Sequence, residues 1–253
     1  MSRIYDALKK AEGEHPGSRV TGAATQDSAP PAPDAATLAS GYWGPIPAHL
    51  TRELANMRQL VETRLPNSPR IALGVASSVA GEGASTVLLG FARTLAGDAR
   101  LRILLVDAEG EGREISKRWL PGSSSGWSDL ASPEMAGSAV VRTQVPNVDI
   151  LPFGSRSDTS PPQAAELLVE TVRRVAPNYQ YVLFDCGSIL GTPMARYLAG
   201  ALDGILLVVH ASRTRREICH KALEELQKTQ APVLGVVLNR RKYLIPEAIY
   251  KRI

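Results

Sequence analysis

A chain of 253 residues suits one α/β domain with appendages and can bury a sizeable core. Its 44% hydrophobic content is ordinary for a globular protein, and a net charge of +4 is too mild to point to nucleic acid. Two cysteines, Cys186 and Cys219, exclude a disulfide framework, and the longest apolar runs, at 204–209 and 233–238, fall far short of the roughly 20 residues of a spanning helix. No signal peptide is legible, so the chain reads as cytoplasmic.

The predicted elements follow in order. Met1 to Glu12 reads as a short amphipathic helix, with Ser2 as N-cap and Ile4, Leu8 and Ala11 as its apolar stripe. Residues 13–48 are rich in Pro, Ala, Ser and Gly; a stretch that buries so little apolar surface does not offset its chain entropy, so a disordered linker is expected. Residues 49–242 form the main domain. Leu50 to Leu65 reads as a helix stopped by Pro66, and Ile71, Leu73, Val75 and Ala76 make a buried-strand pattern. A small-residue turn follows over Ser77–Thr86, then a helix carrying Val87, Leu88, Phe91, Ala92 and Leu95.

Further strands are expected at 101–106, 148–152, 181–184, 204–209 and 233–238, with helices at 163–175, 193–202 and 213–230. Continuous apolar strands alternating with helices predict a doubly wound, mainly parallel sheet covered on both faces. Residues 243–253 form a basic tail containing Tyr243 and Tyr250.

Ligands of such sheets bind at the carboxyl ends of the strands. Ser77–Thr86, Asp107, Asp185 and Asn239 all fall there in the expected pattern. A strand, a glycine-containing loop and a helix N-terminus cradle a phosphate, because glycine lets the backbone approach and free N–H groups favour the anion. Asp107, Glu109 and Asp185 are what a Mg-nucleotide site needs, since a hard cation takes oxygen ligands, and Ser85 or Thr86 supplies a metal-facing hydroxyl. The alternative reading of either Asp, a strand-end residue capping a neighbouring loop, stays open. The four histidines show no metal spacing, and Trp43, Trp119 and Trp127 read as packing groups.

These residues resemble the bacterial tyrosine kinases of capsule and exopolysaccharide synthesis, relatives of MinD/ParA-type P-loop ATPases. Residues 2–12 are similar to the N-terminal segment of one exopolysaccharide-associated branch. Gly81-Glu82-Gly83-Ala84-Ser85-Thr86 matches the Walker A loop except at its lysine. Leu104 to Glu109 resembles the second acidic motif, residues 126–130 and 148–154 the connecting segments, Tyr181 to Asp185 the Walker B strand, and Leu234 to Arg240 the closing strand. The resemblance implies ATP and Mg²⁺ as cofactors. Ser85, Asp107 and Asp185 would stand at the metal, Asp107, Glu109 and Asp185 would be catalytic, and Asn239 would lie at the adenine. It also implies tyrosine acceptors at Tyr243 and Tyr250, homo-oligomers, and a membrane polysaccharide co-polymerase (chain-length determinant) that would hold the chain at the inner membrane.

Ala84 stands where the family carries lysine. A charge-assisted hydrogen bond contributes roughly 1.5–3 kcal/mol, and its transition-state share in a dry site is on the order of a hundredfold in rate. Glu109 replaces Asp, and Cys186-Gly187-Ser188 replaces Thr-Pro-Pro. The subunit-contact motif survives only as Arg58, and two tyrosines remain in the tail. The expectation is a catalytically impaired, regulatory kinase-like protein. An active autokinase with a compensating cation (Arg113, Arg213, Arg215 or Arg216) and a ParA/MinD-like ATPase are the alternatives.

Overall fold

The computed structural model describes residues 48–66, 68–110, 114–120, 125–156, 158–229 and 231–240. The expected N-terminal helix, the linker up to residue 47, Arg113 and the tyrosine tail lie outside them. The elements are α1 (Ala48–Arg64), β1 (Ile71–Ser77), α2 (Ala84–Ala96), β2 (Ile103–Asp107), α3 (Glu114–Trp119), α4 (Ala136–Ala139), β3 (Val141–Arg142), β4 (Val148–Leu151), α5 (Pro161–Val175), β5 (Tyr181–Ser188), α6 (Pro193–Ala199), β6 (Gly204–His210), α7 (Arg216–Lys228) and β7 (Val233–Asn239).

The strands form one seven-stranded sheet in the order β3-β4-β2-β5-β1-β6-β7. All neighbours are parallel except β3, which pairs antiparallel with β4. Every residue of β1, β2, β5 and β6 is buried, as parallel strands covered on both faces require. On one face Leu73, Leu105, Leu183 and Leu206 meet Met57 and Val61 of α1, Leu88 and Phe91 of α2, and Trp119 of α3. On the other, Leu104, Val182, Phe184 and Leu207 meet Leu168 of α5, Leu198 of α6 and Leu226 of α7. The doubly wound expectation therefore holds. No helix of the described residues is long and apolar enough to cross a membrane.

Two boundaries shift and three short elements are added, each for a physical reason. β5 extends to Ser188, so Asp185 and Cys186 lie within a strand instead of ending one. Their apolar pattern stops at Phe184, yet pairing continues through a bulge: Val75 is in register with Asp185 and Ser77 with Ser188, and Gly187 takes φ +69° to accommodate it. α3, α4 and β3 are too short to leave a periodic signature and are absent from the sequence reading. The helix after β6 starts at Arg216 instead of Arg213, because Arg213 and Thr214 donate their amides to the His210 carbonyl in a turn.

Phe91 is fully buried and meets Tyr181 edge-on, with ring centroids 6.5 Å apart. Phe91→Ala should lower unfolding free energy by about 3–5 kcal/mol in urea denaturation, whereas Leu50→Ala, at a position 43% exposed, should change it by less than about 0.5 kcal/mol.

Candidate functional site: a phosphate-type loop facing buried acids

The sheet order brings the expected residues together. β5 lies between β2 and β1, so Asp185 is in register with Asp107 on one side and Val75 on the other. The loop after β1 therefore stands beside the acidic strand ends, at the point where the strand order reverses.

The loop itself is shaped by two glycines in the left-handed region, Gly81 at φ +84° and Gly83 at φ +94°, a conformation costly for other residues. Gly83 caps α2, and Val87 N–H donates to the Gly83 carbonyl at 3.0 Å. The amides of Ala84, Ser85 and Thr86 fall in the first turn, where a helix offers its N–H groups no internal acceptor. Ser85 is half-buried and Thr86 exposed. Ala84 is 6% exposed, and its methyl joins the apolar layer containing Leu88. The geometry of an anion cradle is present, and the side chain at the lysine position packs inward.

Glu82 does not line this cradle. It is 2% exposed, and its carboxylate accepts hydrogen bonds from Ser78 N–H at 2.6 Å, Val79 N–H at 3.1 Å and the Thr214 hydroxyl. Asn239, expected at the adenine, donates its side-chain amide to the Glu82 carbonyl at 2.8 Å. It lies so close over Gly83 that a Cβ there would meet Asn239 Nδ2 at 2.3 Å.

Asp107 is fully buried. Its Oδ2 accepts from Ser116 N–H at 2.8 Å and from the Ser116 hydroxyl at 2.5 Å. The strand end beneath it is held by Trp127, whose indole N–H donates to the Asp107 carbonyl at 2.9 Å and whose ring packs edge-on against Phe153 at 4.9 Å. The two segments carrying those aromatics are bound to each other: Trp127 N–H and Ser128 N–H donate to the Pro152 and Phe153 carbonyls. Asp129 fastens the same junction by accepting from the amides of Gly126, Ser155 and Arg156. Ser116, Trp127 and Asp129 were not among the expected site residues. A packing role was legible for Trp127, but no local pattern marks the distant carbonyl it holds.

Asp185 is buried, and neither carboxylate oxygen makes a hydrogen bond of ordinary geometry. Desolvation pushes its pKa from 3.8 up to about 7; the charges of Asp107 and Glu109 push the same way, while Ser85 and the Gly187 amide offset a part. Glu109 is half-buried and its side chain crosses directly over Gly187. The buried Asp185 carboxylate beside a second buried Asp and the Ser85 hydroxyl forms a donor set that a hard cation fits. Among the described residues no three acidic, His or Cys side chains converge as a preformed cage.

Elsewhere, Arg58 pairs with Glu62 on its own helix at 2.8 Å, and Glu62 also accepts from the Tyr181 hydroxyl at 3.2 Å. Arg213, Arg215 and Arg216 are exposed at the start of α7. His210 ends β6, and its ring Nδ1 accepts from Ser212 N–H at 3.3 Å, a strand-end role as expected. Cys186 and Cys219 are free thiols, and burial pushes the Cys186 pKa up.

The raised Asp185 pKa has a definite sign. The protonated form is favoured by folding, so this contribution is fully present below pH 3.8 and is lost as pH rises through about 7. Asp185→Asn should therefore melt above the native protein at pH 8, with the gap shrinking toward pH 5. Thermal unfolding across that range measures it, and saturating Mg²⁺ should narrow the gap at pH 8.

No model of a protein family matches the chain. The tyrosine-protein kinase CpsD of Streptococcus agalactiae serotype III (strain NEM316) is 28% identical over 178 residues, which span 66% of this chain and 73% of that protein. The tyrosine-protein kinase YwqD of Bacillus subtilis (strain 168) is 28% identical over 174 residues, 66% of this chain and 71% of that one. Among solved structures, the chimerical protein CapA2B2 superposes with a TM-score of 0.66 at 21% identity, over 76% of this chain and 85% of that one. The chain is similar in sequence to these two tyrosine-protein kinases and shares the fold of the CapA2B2 chimera.

Proposed function

We propose that this protein is a kinase-like P-loop protein of exopolysaccharide or capsule biosynthesis and export, impaired in phosphoryl transfer, acting as a regulatory partner of a membrane polysaccharide co-polymerase. The observation that carries the reading is Ala84. It opens α2 at the position of the phosphate-binding lysine, and its methyl is turned into the apolar core. Phosphoryl transfer depends mainly on positioning and charge neutralisation, and this loop offers backbone amides without the point charge.

In this reading the amides of Gly81, Glu82, Gly83, Ala84, Ser85 and Thr86 would hold nucleotide phosphates. Ser85, Asp107 and Asp185 would hold Mg²⁺, and Asn239 would border the adenine while bracing Gly83. A bound divalent cation would neutralise charge on the phosphate oxygens. Ser116 orients the Asp107 carboxylate through two donors, and Trp127 fixes the strand end below it. A peripheral location at the inner membrane would come through the co-polymerase, and self-association would involve the α1 surface that carries Arg58.

One observation favours a second reading, an active autokinase acting on Tyr243 or Tyr250. Asp185, with a pKa near 7 between two further acids, is suited to accept a proton from a tyrosine hydroxyl. That reading demands ATP turnover by the native chain.

Restoring the charge tests the first reading. In calorimetric titration with Mg-ATP, the native protein should bind weakly or undetectably. Ala84→Lys should gain roughly tenfold to hundredfold in affinity, the equivalent of one charge-assisted hydrogen bond. Equal and tight binding by both proteins would remove the lysine from the explanation.

A further inference from the structure

Glu82 sits between the two glycines of the loop, where an exposed, phosphate-lining or solvated carboxylate would be the ordinary expectation. Instead it is buried and fully engaged. One oxygen, Oε2, accepts from the amides of Ser78 and Val79 at the exit of β1. The other, Oε1, accepts from the Thr214 hydroxyl and, at 3.4 Å, from His210 N–H at the exit of β6. The residue's own carbonyl takes the Asn239 side-chain amide from the exit of β7. A single side chain and its peptide thus fasten the loop to three successive strand ends, β1, β6 and β7.

A short glycine loop that must present its amides to an anion is costly to order, because glycine loses the most backbone entropy on folding. Where a lysine and a bound phosphate are present, they share in ordering it. Here residue 84 is alanine, and the loop holds both glycines at positive φ.

We propose that Glu82 is the positioning residue of this loop: its buried carboxylate gives the cradle its shape before any nucleotide arrives and ties it, through Thr214, to the turn that starts α7. The second part matters because that turn carries Arg213, Arg215 and Arg216. The loop and this cationic surface are thus joined through two side chains in direct contact. The proposal rests on reading Ser77–Thr86 as a phosphate loop, but its first test needs no nucleotide.

Amide hydrogen exchange on the full, nucleotide-free chain reads the latch directly. Ser78 and Val79 N–H should be protected in the native protein. They should exchange roughly tenfold faster or more in Glu82→Gln, which puts a donor where an acceptor stood. Strand amides at Leu73 and Leu206 should keep their native rates. Thr214→Val, which removes only the hydroxyl donor, should produce a smaller acceleration at the same two amides and serves if the Gln variant does not fold.

Unchanged rates at Ser78 and Val79, or an acceleration spread evenly over the sheet, would overturn the proposal, since the second pattern is that of a residue contributing only to global stability. In the Ala84→Lys background, Glu82→Gln should also weaken Mg-ATP binding by about tenfold. If Ala84→Lys itself binds no nucleotide, the kinase-family reading of the loop fails, while the exchange rates still decide the role of Glu82.

Discussion

The carboxylate of Asp185 is the constraint on which the rest of the sheet's C-terminal edge depends. It lies in the central strand, fully buried, without a hydrogen bond of ordinary geometry to either oxygen, and with a second buried aspartate in register beside it. Such a group is costly in a folded protein, and the structure meets the cost by holding its pKa near 7. The neighbouring features follow from that arrangement. Asp107 is supplied with two donors by Ser116, and Trp127 holds the peptide below it. Glu109 is carried over a glycine that admits no side chain. These buried acids stand beside a glycine loop whose residue 84 is alanine, and that juxtaposition is the central tension in the molecule.

The sheet was largely legible in the sequence because its strands are buried on both faces. Runs such as Ile71–Ala76 and Ile205–Val209 need no neighbour to be recognised, and the helices that cover them repeat at helical spacing. The short elements were not legible: Val141–Arg142 pairs only because β4 is already in place, and α3 exists to bring Ser116 to Asp107. β5 was read too short because Asp185, Cys186 and Gly187 break the apolar run, while its last residues are held by pairing across a bulge.

The site was legible by position more than by role. Ser77–Thr86, Asp107 and Asp185 gather as strand-end logic requires. Glu82 and Asn239, expected to face a ligand, also brace the loop from within. Nothing in the local sequence distinguishes a carboxylate lining a cradle from one supporting it; that depends on Thr214 and His210, more than a hundred residues away. Trp127 and Ser116 escaped for the same reason, since each acts on a backbone or carboxylate group that only the fold brings near.

The loop places alanine at position 84 beside the glycine turn, while Asp107, Glu109 and Asp185 gather at the neighbouring strand ends. The function proposed above combines an intact fold with impaired transfer. The most direct measurement is phosphotyrosine formation by the purified full chain with Mg-ATP, compared with Asp107→Ala. The account predicts no signal above that variant's background, whereas phosphotyrosine in the native protein that Asp107→Ala abolishes would contradict it.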